Sequence, residues 1–124
     1  MATPMVASTA AAAAPPNHFT PGQCTWWAAH TRPDIGAKVY GSAKFWTASA
    51  QAAGLATGTT PEPDAIVVFQ PGVEGAWGAG HVAHVNDVSP DGVHFTVDEM
   101  DYPVAFRMTL RVAHTGPGVS FIYG

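Results

Sequence analysis

Only one cysteine, Cys24, occurs in the 124 residues, so no disulfide can form within the chain and a metal site built from several thiolates is excluded. Charge is equally scarce. Five Lys and Arg stand against nine Asp and Glu, a formal net charge of -4, with 11% of residues charged. Such a balance creates no long-range attraction to phosphate backbones or anionic lipid, so neither nucleic acid nor a membrane surface is an expected partner. No apolar run approaches the roughly 20 residues that span a bilayer, which predicts a soluble chain. The first residues have no basic start and no Leu- or Val-rich run, so an intact secretory signal is not read there. Their Ala, Pro, Thr and Ser composition instead predicts a flexible linker over residues 1–16. The remainder, 17–124, has the size of one domain with one core.

What is present points to a mixed fold. Thirteen Gly and eleven Pro mark frequent turns, and four Trp, three Tyr and six Phe supply core-forming bulk. Thr20, Pro21 and Gln23 have the spacing of a helix start, with Thr20 as N-cap, Pro21 in the first position and Gln23 reaching back. That helix runs through Trp27 and ends before Pro33. Ser42 caps a second one, over Ala43 to Ala53 with Gly54 as terminator and Ala43, Trp46, Ala50 and Ala53 as its apolar stripe. Five β-rich runs follow: Ala65 to Phe69, His81 to Val88, Val93 to Met100, Val104 to Val112 and Val119 to Tyr123. Helices first and strands afterwards predict an α+β domain, two or three N-terminal helices on an antiparallel sheet of five to six strands.

Cys24 falls in the first turn of its helix, where unpaired backbone N–H groups and the positive end of the dipole stabilise a thiolate. A buried cysteine is more often a small apolar side chain, and a nucleophile needs a base nearby. The turn Ser89-Pro90-Asp91-Gly92 supplies a register for finding one. If Ser89 pairs with Val93, then Val85 opposes Val97, Ala83 opposes Glu99 and His81 opposes Asp101. One sheet face then reads Ala83, Val85, Phe95 and Val97 and ends in His81, Glu99 and Asp101. The other carries His84, Asn86, His94, Thr96 and Asp98, the composition of a wetter surface. An imidazole beside carboxylates at the end of an apolar face is either the base half of a catalytic triad or a satisfied buried ion pair.

His81 and His84 cannot chelate together, because three positions along a strand place them on opposite faces. No other ligand spacing suggests a metal, so neither zinc nor calcium is expected. His18, His30, His94 and His114 are expected at surface or cap positions. Trp26, Trp27 and Trp46 are expected in the core, while Trp77 sits in the Gly-rich loop before His81, where an aromatic ring can line a cleft.

These residues together resemble one family. Asn17 to Trp27, with Gly22-Gln23-Cys24-Thr25 at its centre, is similar to the opening motif of the cysteine, histidine-dependent amidohydrolase/peptidase (CHAP) domain. Gly41, Ala43, Trp46, Ala50 and Gly54, then Gly80-His81-Val82-Ala83, Asp98-Glu99-Met100-Asp101 and Phe121-Ile122-Tyr123 continue the likeness in order. The resemblance implies a papain-like fold, no cofactor, and cleavage of an amide bond in bacterial peptidoglycan by an extracellular or cell-envelope monomer. It implies Cys24 as nucleophile, His81 as base, Glu99 as the acid that orients the imidazole, Gln23 at the oxyanion, and Gly80 beside the substrate. Asp101 stands where the family usually has asparagine, and a second carboxylate there is expected to share the His81 imidazole. Asp64 stands where the family often has glycine. The bond could be the N-acetylmuramoyl-L-alanine amide or a peptide crosslink, and a wall-binding module that has lost activity is the alternative reading.

Overall fold

The computed structural model describes residues 15–124. The expected linker over 1–16 lies outside the described residues except for Pro15 and Pro16. Helix α1 spans Cys24–Thr31 and α2 spans Pro33–Gly36; a 3-10 turn at Ala43–Phe45 leads into α3, Trp46–Ala52. Six strands follow: β1 Thr57–Gly58, β2 Ile66–Phe69, β3 His81–Val88, β4 His94–Met100, β5 Met108–His114 and β6 Val119–Ile122. They form one antiparallel sheet in the order β1-β6-β2-β3-β4-β5. This is the α+β layer arrangement that the sequence predicts, with β1, outside the five β-rich runs, as the sixth strand.

Both faces of the sheet bury apolar side chains. On the helix side Ile66, Val68, Val82 and Ile122 meet Ala28, Ala29, Ile35, Val39, Trp46 and Ala50. On the opposite side Val67, Phe69, Ala83, Val85, Phe95, Val97, Ala113 and Phe121 form a second cluster. The rings of Phe95 on β4 and Phe121 on β6 lie 5.3 Å apart at a steep angle. Three strand spacings in a flat sheet would separate those strands by about 14 Å. The sheet therefore curls until its inner face packs on itself, which is what buries that face without a second helical layer.

Several expectations are corrected. The N-cap of α1 is Gln23 in extended conformation, without a side-chain cap. Thr20 instead accepts from the Gln23 N–H in a turn made possible by Gly22 at φ +88°. Cys24 is consequently the first residue of the helix. Of the three tryptophans expected in the core only Trp46 is fully buried; Trp26 and Trp27 are half-buried, and Ala53 is exposed. β5 begins at Met108 and not at Val104, because the preceding segment leaves the sheet. There Phe106 adopts φ +65°, and its N–H donates to the Gly22 carbonyl at 2.9 Å.

The hairpin register holds toward the site and slips toward the turn. Val85 opposes Val97 and His84 opposes Asp98, as counted, but Val88 opposes Phe95. One extra residue on β3 makes a bulge there. Ser89 therefore donates to the His94 carbonyl at 2.8 Å instead of pairing with Val93, while the Gly92 N–H still closes the turn on Ser89 at 2.9 Å.

Candidate active site

α1 lies across β3 and β4, so its first residue arrives at the end of the sheet where His81 begins β3. Gly80, just before His81, lets the 3-10 turn and β2 come close to this loop. Its φ is +77°, and a Cβ there would come within 2.8–2.9 Å of Lys44 and of the Phe69 carbonyl. The neighbouring Ala79 carbonyl accepts from the Lys44 N–H at 2.8 Å, tying this loop to the 3-10 turn.

His81 is 4% exposed and Glu99 is fully buried. The imidazole Nε2 lies 2.8 Å from Glu99 Oε1, and Cys24 lines the same cleft as the ring. Burial alone would lower the imidazole pKa. The Cys24 and Glu99 hydrogen bonds, with the charges of both partners, override burial and raise it to about 9. An imidazolium flanked by sulfur and carboxylate is the state this geometry favours. The ring of Phe69 stacks beside the imidazole at 6.2 Å and that of Tyr102 tilts against it at 5.3 Å, which holds its plane.

Glu99 has a second partner that sequence reasoning missed. Arg111 Nε donates to Glu99 Oε2 at 2.7 Å, and its guanidinium lies 4.1 Å from the Tyr102 ring centroid and 5.2 Å from that of Phe69. Its Nη2 is buried without a hydrogen-bond partner among the described residues. The β4–β5 register opposes Arg111 to Val97, one diagonal step from Glu99 on the same face. The one available signal was an arginine amid the alternation of β5, and it was mute without that register.

Asp101 is not a second partner of the imidazole. Its backbone turns into the left-handed region at φ +60°, and its carboxylate makes no hydrogen bond or ion pair among the described residues. The extrapolated pairing fails because the strand ends at Met100. Asp101 instead lines a cleft of about 570 Å³ with Gln23, Cys24, Trp77, Gly80, His81 and Tyr102. Trp77 is 76% exposed at its rim.

The supposedly wetter face is wet only near the turn. Beneath α1 it carries a polar chain: Trp27 Nε1 donates to Asp98 Oδ2 at 2.7 Å, Asp98 Oδ1 meets His84 Nδ1 at 2.7 Å, and His84 Nε2 meets Asp64 Oδ1 at 2.7 Å. The hydrogen bond to Asp98 leads the effects that raise the His84 pKa. Asp64 sits at φ +70°, which explains why glycine would suit the position, and it also approaches Arg32 at 3.7 Å. The carboxylate thus ties the β1–β2 connection to β3 and to the end of α1.

The family model of the CHAP domain matches residues 14–101. A probable autolysin SsaALP of Staphylococcus aureus is 34% identical over 89 residues, 69% of this chain and 31% of that protein. The staphylococcal secretory antigen ssaA2 of the same species is 35% identical over 113 residues, 86% of this chain and 39% of its own length. The chain therefore spans between three and four tenths of these relatives. Among solved structures, an N-acetylmuramoyl-L-alanine amidase from Staphylococcus aureus superposes with a TM-score of 0.70 at 29% identity, covering 83% of this chain and 30% of that one. The structure of Ly7917 shares the fold alone, with a TM-score of 0.54 and 22% identity over 82% of this chain and 53% of that one. With seven-tenths of its length matched by the family model, and with the helix and strands that carry the motif residues folded as described, this chain belongs to the CHAP domain family.

Proposed function

We propose that the domain hydrolyses an amide bond of bacterial peptidoglycan through a covalent thioester on Cys24. The observation that carries this reading is Cys24, the first residue of α1, in one cleft with His81, whose Nε2 is held at 2.8 Å by the buried Glu99. The printed names of the relatives, an autolysin and an amidase, support the substrate class. The name of the secretory antigen supports action outside the cell.

The Cys24 thiolate attacks the carbonyl carbon, forming the C–S bond while the carbonyl π pair moves to oxygen. The backbone N–H of Cys24, free of any intrahelical acceptor at this first position, and the Gln23 side chain at the cleft wall hold the oxyanion. Collapse breaks the C–N bond, and the departing nitrogen takes the imidazolium proton of His81. The neutral imidazole then deprotonates water, which attacks the thioester and expels the thiolate. Glu99 fixes the ring plane through its hydrogen bond with Nε2. Trp77 and Gly80 border the space in which the substrate chain lies.

Cys24→Ser tests the reading. The hydroxyl is almost isosteric but far harder to ionise, so turbidity clearing of purified sacculi should fall by at least about a hundredfold with the melting temperature unchanged. Undiminished clearing by the Ser variant defeats the mechanism. If the wild-type chain binds sacculi without releasing any fragment, it is a wall-binding module instead. Mass spectrometry of the fragments names the bond: free muramic acid beside a new alanine amino terminus for the amidase, a cut within stem or bridge for the endopeptidase.

A further inference from the structure

Apart from His81, Asp101 is the one charged side chain among the described residues that lines the cleft holding Cys24. It carries no ion pair or hydrogen bond from the described residues, whereas Glu99, Asp98, Asp64, Asp34 and Asp91 are all partnered. A half-buried carboxylate left free at the mouth of a site gains most from a cation brought by the ligand. The exposed ring of Trp77 lines the same cleft and offers a face that attracts a cation, whereas the ring of Tyr102 already carries the Arg111 guanidinium.

We propose that Asp101, with Trp77, forms a subsite for a primary ammonium group on the peptide portion of the substrate. The inference rests on the peptidoglycan reading above and makes the site selective within it. Peptides of the wall carry several carboxylates and few ammonium groups, so a free carboxylate beside the nucleophile repels segments that end in acid and retains those that present an amine. Left-handed backbone at Asp101 does not by itself explain the residue, because asparagine tolerates φ +60° equally well. The charge is what distinguishes aspartate there.

Two sources of ammonium share this chemistry: a free side chain of a dibasic stem residue, and the free α-amino end of a bridge peptide. Binding is measured by calorimetry on the Cys24→Ala chain, which cannot turn over, so that recognition is read apart from catalysis. The probes are N-acetyl-Ala-Glu-Lys-Ala for the side-chain amine and triglycine amide for the α-amine, each beside its amine-acetylated counterpart. Whichever probe fits should bind at least about tenfold more tightly than its acetylated form, and Asp101→Asn should remove most of that difference. The preference should also weaken as salt rises. In the catalytically intact chain, Asp101→Asn should raise KM for the amine-bearing peptide and leave kcat and the melting temperature close to wild type. Equal binding of free and acetylated probes, an Asn variant that keeps the preference, or no binding of any probe at millimolar concentration overturns the subsite. Sacculi left uncut by the wild-type chain would sink the hydrolase reading instead, and the binding comparison would still report on Asp101.

Discussion

Arg111→Met removes the one cation that neutralises the far oxygen of a fully buried carboxylate. In the native site each Glu99 oxygen has one close partner, His81 Nε2 at 2.8 Å and Arg111 Nε at 2.7 Å. Without the guanidinium, Oε2 is left without a donor where no water reaches Glu99, and breaking a buried pair in this way costs about 3 to 5 kcal/mol. The stacking of the cation on Tyr102 at 4.1 Å is lost as well, about 1 kcal/mol, and Met recovers part of the packing. A net loss of about 3 kcal/mol corresponds to a fall in melting temperature of roughly 10 °C for a domain of this size. Urea denaturation at pH 7 measures it. The sharper test adds Glu99→Gln, which takes away the stranded charge: the double variant should be more stable than the sum of the two single losses by about 2 kcal/mol. Arg111→Lys should recover less than half of the loss, since one ammonium cannot reach Oε2 and lie flat on Tyr102 together. Strict additivity, or an Arg111→Met loss below about 1 kcal/mol, refutes the idea that Glu99 depends on Arg111.

Two further outcomes are expected. His81 is raised from 6.5 to about 9 on folding, so its contribution, roughly 3 kcal/mol, is complete below pH 6.5 and disappears as pH climbs through 9. Wild type should therefore lose stability over that window relative to His81→Asn, and the alkaline limb of kcat/KM should fall near pH 9; parallel stability curves for the two proteins would contradict the assignment. Gly80→Ala forces a Cβ against Lys44 and the Phe69 carbonyl at a left-handed φ, so it should cost about 2 kcal/mol or more and misplace His81. A variant with native melting temperature and full activity would show that the loop has room.

The chemistry-bearing residues were legible in the chain because they sit in local signals. Cys24 follows a turn that starts a helix, and counting back from one β-turn puts His81 and Glu99 at the same end of one sheet face; the structure keeps that count at Val85 and Val97. Alternation along β3 and β4 also identified Ala83, Val85, Phe95 and Val97 as one face, and all four are buried together. Local signals stop at the ends of elements and between elements distant in sequence. The count failed at the turn, where a bulge absorbs one residue, and at Asp101, where left-handed backbone takes the carboxylate off the strand. Nothing local tells which side of a two-faced sheet the helices will cover, so Asp98 and His84 read as solvent-facing when α1 lies over them and its Trp27 donates to Asp98. Arg111 became a partner of Glu99 only through the β4–β5 register and the curl of the sheet. Residue identity and short-range periodicity thus determined which groups this protein could use for chemistry. The pairing of strands far apart in the chain, driven by burial on both sheet faces, decided which of them meet.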